Sequence, residues 1–330
     1  MADAVAHPTV EADDNDNDSS LGDEVDHLST VSISSSIMKY REENGRTYHA
    51  YKDGKYLGPN DEPEKDRLDL QHHLFTLTFS GRLHICPVGE DGKQIHRVLD
   101  VGTGTGIWAI DFADEHPESE VLGIDLSAIQ PGFVPPNVSF QVDDLEEPWT
   151  FRESEKFDFI YARMMTSAFA DWPRFFEQSF EHLSPGGYIE MADICFTVQC
   201  DDDTMTQDSA LRKWAGLILE GTIQIGRPIN SAKDYKQQLE TAGFVNIVEE
   251  RFSWPQNRWP KDKKMKEIGM WAHENMAPSL EGFSMALFTR VYGWTKEEVE
   301  VFLVDVRKEV KDPRIHAYWP IYVVYAQKPT

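Results

Sequence analysis

The sequence predicts an α/β fold with a doubly wound sheet, and three observations predict it. Over most of the 330 residues, short apolar runs alternate with stretches of helical periodicity, the order expected of strand–helix–strand units. One run, Val98, Leu99 and Val101, is of the kind buried in a parallel sheet, and it breaks at three alternating glycines into a helix beginning near Ile107. The next run, Val121 to Ile124, is closed by Asp125, about 20 residues after the first motif, where an acid can accept both hydroxyls of a ribose.

Taken in order, the first 36 residues are rich in Asp, Asn and Ser, contain no Lys or Arg, and read as a disordered acidic tail. Such a tail either solubilises the chain or binds a partner under phosphorylation at serines such as Ser19, Ser20, Ser34 or Ser35. Tyr40 to Pro63 is turn-rich and aromatic, and Glu64 to about Ser80 is a helix with Leu68, Phe75 and Phe79 at helical spacing. Strands are expected at Arg97 to Val101, Val121 to Asp125, Val138 to Val142, Phe157 to Ala162, Tyr188 to Ile194, Val245 to Phe252 and Ile321 to Ala326. Residues 255–320 are far longer than a crossover needs, and a helix inside them is announced by the capping box Thr295, Lys296, Glu297, Glu298. Met265, Met270, Trp271, Met276, Phe283 and Phe288 of that insertion, with Met285, form either a helix core or an adaptable apolar lining. The organisation expected is a tail (1–36), an N-terminal helical segment (37–96) and a main domain (97–330) carrying the insertion.

Gly102, Gly104 and Gly106 permit the strand-to-helix turn, because without Cβ atoms they accept positive φ and let backbone amides approach a ligand closely. Thr103 and Thr105, between them, tolerate such φ values poorly. Counted from Gly102 the dinucleotide pattern G-x-G-x-x-G fails at Ile107; counted from Gly104 it succeeds in relaxed form with Ala109 last, so the loop alone leaves a nicotinamide cofactor open. Asp100 tips the balance. A carboxylate just before the first glycine repels a pyrophosphate but can hold an ammonium group, directly or through water, and S-adenosylmethionine has an ammonium and no phosphate. Asp143 and Asp144, with Leu145 beside them, close the alternation Val138, Phe140, Val142 and place acceptors where an adenine amino group can donate. Asp125, next to Leu126, then faces the ribose. Arg163 follows the fourth strand, at the sheet edge where open α/β folds bind ligands; it can pair with a ligand carboxylate or form a surface ion pair.

A net charge of −25 argues against binding along a phosphate backbone, which demands a basic surface. With no secretory apolar core and no run of about 18 apolar residues, a soluble intracellular protein is expected. Cys86, Cys195 and Cys200 form no CxxC pair and are expected as free thiols, with no metal site.

The chain resembles the class I S-adenosylmethionine-dependent methyltransferases, and more narrowly their fungal LaeA-like group. The broad likeness rests on VLDVGTGTGIWAIDFADEHP (Val98 to Pro117); the narrower one rests on GRTYHAYKDGKYLGPND (Gly45 to Asp61), DRLDLQHHLF (Asp66 to Phe75), DLSAIQPGFVPPNVSF (Asp125 to Phe140), LSPGGYIE (Leu183 to Glu190) and ALFTRVYGW (Ala286 to Trp294). The resemblance implies a Rossmann-like, mostly parallel sheet of seven strands, with the last strand antiparallel and inserted beside the fifth. It also implies bound S-adenosylmethionine, a lid over it built from the segment before the first sheet strand, and a cytoplasmic or nuclear location. Two functions follow: methylation of a small molecule of secondary metabolism, or regulation of that metabolism in the nucleus with velvet-type protein partners. If a proton must be removed from the acceptor, His49, His72 and His73 in the lid titrate near neutrality. His72 shares a helix face with Phe75 and Phe79, whereas His73 projects about 100° away. Tyr48 either orients a substrate or covers the cofactor.

Overall fold

A computed structural model describes residues 39–90 and 92–330, and the expected tail lies outside them. A short antiparallel hairpin comes first, β1 (Arg41–Glu43) and β2 (Arg46–Tyr48), turning through Asn44 and Gly45 with φ of 54° and 84°. Both residues of that turn are left-handed, which is the Asn-Gly solution for a two-residue hairpin. Helix α1 (Glu62–Thr78) follows, starting earlier than expected because Asp61 caps it, accepting from Glu64 N at 3.2 Å, and because proline is tolerated in a first turn. It ends before Ser80 and Gly81, which take φ of 60° and 93°.

The main sheet has seven strands in the order β5-β4-β3-β6-β7-β9-β8. Its parallel part comprises β3 (Arg97–Val101), β4 (Glu120–Asp125), β5 (Val138–Val142), β6 (Phe157–Arg163) and β7 (Leu183–Ile194). Val98 of β3 stands opposite Val121 on one side and Phe159 on the other, so this central strand is covered at both edges and fully buried at Val98, Leu99 and Val101. The last strand, β9 (Tyr318–Gln327), runs antiparallel between β7 and β8 (Val245–Pro255), as the resemblance implies.

Residues alternate between the two faces. On one face Leu99, Ile160 and Met191 pack under α3 (Trp172–His182) and α5 (Tyr235–Ala242). On the other, α2 (Ile107–Glu115) lays Trp108 flat on Tyr161 of β6, ring centroids 3.9 Å apart and 8° from parallel. Further along this face α1 packs with α4 (Ala210–Gln224) and three helices that stand between β8 and β9: α6 (Lys263–Met276), α7 (Leu280–Val291) and α8 (Lys296–Lys311). The capping box of α8 forms as expected, Thr295 accepting from Glu298 N and Glu298 from Thr295 N. Of the insertion's large side chains, Met285 and Phe288 are fully buried core. Among the described residues no helix is long and apolar enough to cross a membrane.

The segment leading to β3 is pinned to the sheet by Glu190 of β7. Its fully buried carboxylate accepts from Ile85 N at 2.9 Å and Cys86 N at 2.6 Å, and burial pushes it up to about 7. A carboxyl raised in the folded state favours folding while protonated and loses that contribution as pH rises from about 4.5 toward about 7. Urea unfolding of wild type and Glu190→Gln across that window is therefore expected to show wild type losing stability relative to the variant as pH rises. A difference independent of pH would contradict the raised carboxyl.

Candidate functional site

The glycine turn after β3 sits at the carboxyl ends of β3 and β4 and is built by backbone bonds. Gly102 N and Thr103 N both donate to Ile124 O, at 2.8 and 3.1 Å, and Gly104 N donates to the Asp125 carboxylate at 2.9 Å. Gly102, Gly104 and Gly106 take φ of 66°, 58° and 81°. A Cβ on Gly102 would lie 2.1 Å from Met165 Sδ, whereas one on Gly104 would touch only the end of the Leu68 side chain, at 3.4 Å. Gly106 differs from expectation. It does not line the cavity; a Cβ there would lie 2.3 Å from the Phe140 ring, and its left-handed backbone starts α2. Its glycine requirement is one of packing.

A single cavity runs past this turn, and Asp100, Gly102, Thr103, Gly104, Thr105 and Asp125 face it. Asp100 is 4% exposed and accepts from Thr103 Oγ1 at 2.5 Å; burial raises it to about 7, against the pull of that bond and of the Arg163 charge. Asp125 also accepts from Ser127 N at 2.9 Å, and its enclosure outweighs its backbone bonds and holds its carboxyl above the ordinary value. Leu126, Asp143, Asp144, Leu145 and Arg163 line the same cavity. The two candidate adenine acceptors are not equivalent. Asp144 is buried against the Lys55 ammonium, which also reaches Glu146 at 3.1 Å, while Asp143 accepts from Asp144 N at 2.8 Å and stands 3.4 Å from Tyr51 Oη.

Arg163, among the described residues, forms no ion pair. Its guanidinium lies 5.0 Å over the Phe75 ring with Nη2 3.1 Å from His72 Nδ1, and His72 Nε2 in turn meets Asp111 at 2.9 Å.

The three histidines expected as proton acceptors, and Tyr48, expected to orient a substrate or cover the cofactor, do not reach the cavity wall. His49 is buried with both ring nitrogens engaged, Nδ1 donating to Tyr51 O at 2.6 Å and Nε2 accepting from Tyr56 N at 3.2 Å, so it tacks down its own loop. His72 sits behind Arg163 and orients it. His73 is exposed, edge-on to Trp271 at 4.9 Å. Tyr48 is buried beneath the Arg290 guanidinium, 5.1 Å from its ring centroid. The face that His72 shares with Phe75 and Phe79 is the buried one, and the partners of its two ring nitrogens come from distant elements.

Beyond the turn the cavity becomes apolar, walled by Phe169, Ile194, Phe196, Ile218, Phe283 and Leu287. The β6–α3 loop bordering it carries two non-glycine residues in left-handed backbone, Met164 and Ser167, at φ of 57° and 64°. Backbone of that kind persists only where neighbours over-determine it. Here buried Asp193 accepts from Met165 N at 2.6 Å, Thr166 N at 3.3 Å and Tyr235 Oη at 2.6 Å, and burial raises its carboxyl to about 6. Sequence reasoning passed over Lys55, Asp193 and Gln71; Lys55 lies in the quoted GKYLGPND block, but nothing local marks its partner. His84, Cys86 and Glu190 also bring three metal-capable atoms within 4.8 Å of one another. Glu190 is committed to backbone N–H groups, however, and His84 Nδ1 faces Cys86 O at 3.0 Å.

A sheet in this order, with a glycine turn after its first parallel strand and acids closing the next two, defines the class I methyltransferase architecture. A family model described as a methyltransferase domain matches residues 56–249. The chain is 41% identical over 302 residues to methyltransferase pytC of Aspergillus terreus, covering 91% of this chain and 92% of that one. It is 42% identical over 290 residues to the secondary metabolism regulator LAE1 of Cochliobolus heterostrophus, covering 87% and 94%. It is 37% identical over 294 residues to the protein-methionine methyltransferase laeA of Emericella nidulans, covering 88% and 77%. The chain belongs to the class I S-adenosylmethionine-dependent methyltransferases, in the group that holds these LaeA- and pytC-type proteins.

Proposed function

We propose that this cavity binds S-adenosylmethionine along the turn and the ends of β3 to β6, and that the apolar half holds the methyl acceptor. The observation that carries the reading is the left-handed backbone of Gly104 at the cavity wall, flanked in one cavity by the carboxylates of Asp100, Asp125 and Asp143. Asp100 meets the ammonium group directly or through water, Asp125 the ribose hydroxyls and Asp143 the adenine amine, with Leu126 and Leu145 beside the rings. Backbone of Gly102, Thr103, Gly104 and Thr105 cradles the chain of the donor, and Arg163 pairs with its carboxylate. Residues 37–96 serve as the lid and 255–320 as the roof.

Bound there, the sulfonium supplies an electrophilic methyl group. The protein's part is to align the acceptor and exclude water. Among the described residues no histidine lines the cavity, and Glu64 is held by Arg67 at 2.7 Å. Positioning therefore does most of the work, and the acceptor presents a nucleophile that needs little help in losing a proton.

Two acceptors fit. The apolar wall suits a small metabolite. The relatives named as regulators lend more support to a second reading, in which the chain governs secondary metabolism with velvet-type partners in the nucleus. A thioether sulfur carries no proton, and Met164 and Met165 line the cavity, which suits the chemistry named for the Emericella nidulans relative.

Binding of the ammonium favours ionised Asp100, so below pH 7 a proton must leave as the ligand enters. Calorimetry is expected to find S-adenosylhomocysteine, which keeps that ammonium, about tenfold weaker at pH 6 than at pH 8, and Asp100→Asn is expected to flatten the dependence. Equal affinity at both values would contradict the Asp100 assignment. Metabolite profiles of a deletion strain complemented with Gly104→Val separate the acceptors: loss of one methylated product supports the metabolite, and silencing of many pathways supports the regulator.

A further inference from the structure

Helix α1 lays a polar stripe along the acceptor half of the cavity. Glu64, Arg67 and Gln71 fall at helical spacing on the helix face that lines the cavity, and Asn275 of α6 meets them from the roof. The charges on this stripe cancel. Arg67 is buried and directs Nε and Nη2 to the two Glu64 oxygens at 3.0 and 2.7 Å, and Nη1 to Asn275 Oδ1 at 2.9 Å. Its guanidinium also lies 5.3 Å over the Phe283 ring. Such a pair, held on all sides, has no charge left to attract an anion, and splitting it would strand a buried ion.

Gln71 is different. It is 3% exposed and lines the cavity; its Nε2, closed off as the amide now stands, has no hydrogen-bond partner, and half a turn about the last side-chain torsion presents it to the cavity. A buried donor left unmet destabilises the protein, and an arriving acceptor atom removes that cost. Its place on the helix sets it one turn beyond Arg67 and one turn before Phe75, which carries Arg163 on its ring, so it faces the junction of the two halves of the cavity.

Resting on the reading of this cavity as a methyltransferase site, we infer that its acceptor subsite takes an uncharged, largely apolar molecule bearing a hydrogen-bond-accepting oxygen, which Gln71 Nε2 engages. Charged acceptors such as carboxylates and phosphates are excluded, because Arg67, the cation of this stripe, is neutralised by Glu64. Selectivity then comes from one amide hydrogen bond within an apolar enclosure.

Three probes of one shape test this on full-length protein saturated with S-adenosylhomocysteine: 2-acetylnaphthalene, its oxygen-free isostere 2-isopropylnaphthalene, and the anion 2-naphthoate, each titrated by fluorescence. The ketone is expected to bind about fivefold tighter than the hydrocarbon and about tenfold or more tighter than the anion. Gln71→Leu is expected to erase the preference for ketone over hydrocarbon while S-adenosylhomocysteine affinity stays within about twofold of wild type. The proposal is overturned if the anion binds as well as the ketone, if wild type shows no preference for the ketone, or if the ketone does not bind saturably. It is overturned as well if Gln71→Leu weakens S-adenosylhomocysteine instead, which would place the amide on the donor. Failure of S-adenosylhomocysteine itself to bind wild type would reject the methyl-donor reading, and is seen before any probe is added.

Discussion

Carboxylates that accept backbone N–H groups hold the cavity together. Asp125 fastens the glycine turn to the end of β4, Asp193 fastens the β6–α3 loop to β7, and Glu190 fastens the segment before β3 to the same strand. Among the described residues none of the three forms an ion pair. Buried acids bound this way are raised by burial, yet each supplies acceptors in a direction that a cation-bound carboxylate would not leave free. The cost of burying them is offset by amides that would otherwise be unsatisfied where strands give way to loops. Loops fixed this way can keep strained backbone at Met164 and Ser167 facing a ligand.

Most of the sheet was legible in the sequence because its signals are local. The strands Arg97–Val101 and Val138–Val142 appear with the bounds that their apolar runs and flanking turns imply, and β4 and β6 differ by one residue. The strands β7, β8 and β9 run longer than expected: Leu183 pairs with Phe157 and Trp254 with Trp319, but Pro185, Pro255 and Pro320 break the pattern that marks a strand in the sequence. The β1–β2 hairpin escaped because strands of three residues are too short to show alternation, although Asn44-Gly45 marks its turn.

The candidate site divides in the same way. Residues whose role is set by the strand-to-helix turn itself, Asp100, Gly102, Gly104 and Asp125, were found from spacing alone, and all four face the cavity. Residues whose setting depends on the surroundings that the fold brings to them are less legible. Gly106 is required by the Phe140 ring, His49 by its own loop, Asp144 is spoken for by Lys55, and Gln71 is distinguished only by a lack of partners. No periodicity encodes the Gly106–Phe140 and Asp144–Lys55 contacts, because they join residues tens of positions apart.

The acid before the glycines was the ground for preferring a sulfonium donor to a dinucleotide, and in the fold it stands buried beside the turn with only Thr103 and the more distant Arg163 to balance it. Equilibrium dialysis of the purified full chain against labelled S-adenosylmethionine and, in parallel, labelled NAD⁺ tests that ground most directly. The account predicts saturable retention of S-adenosylmethionine and free passage of NAD⁺. Retention of NAD⁺, or of neither compound, would contradict it.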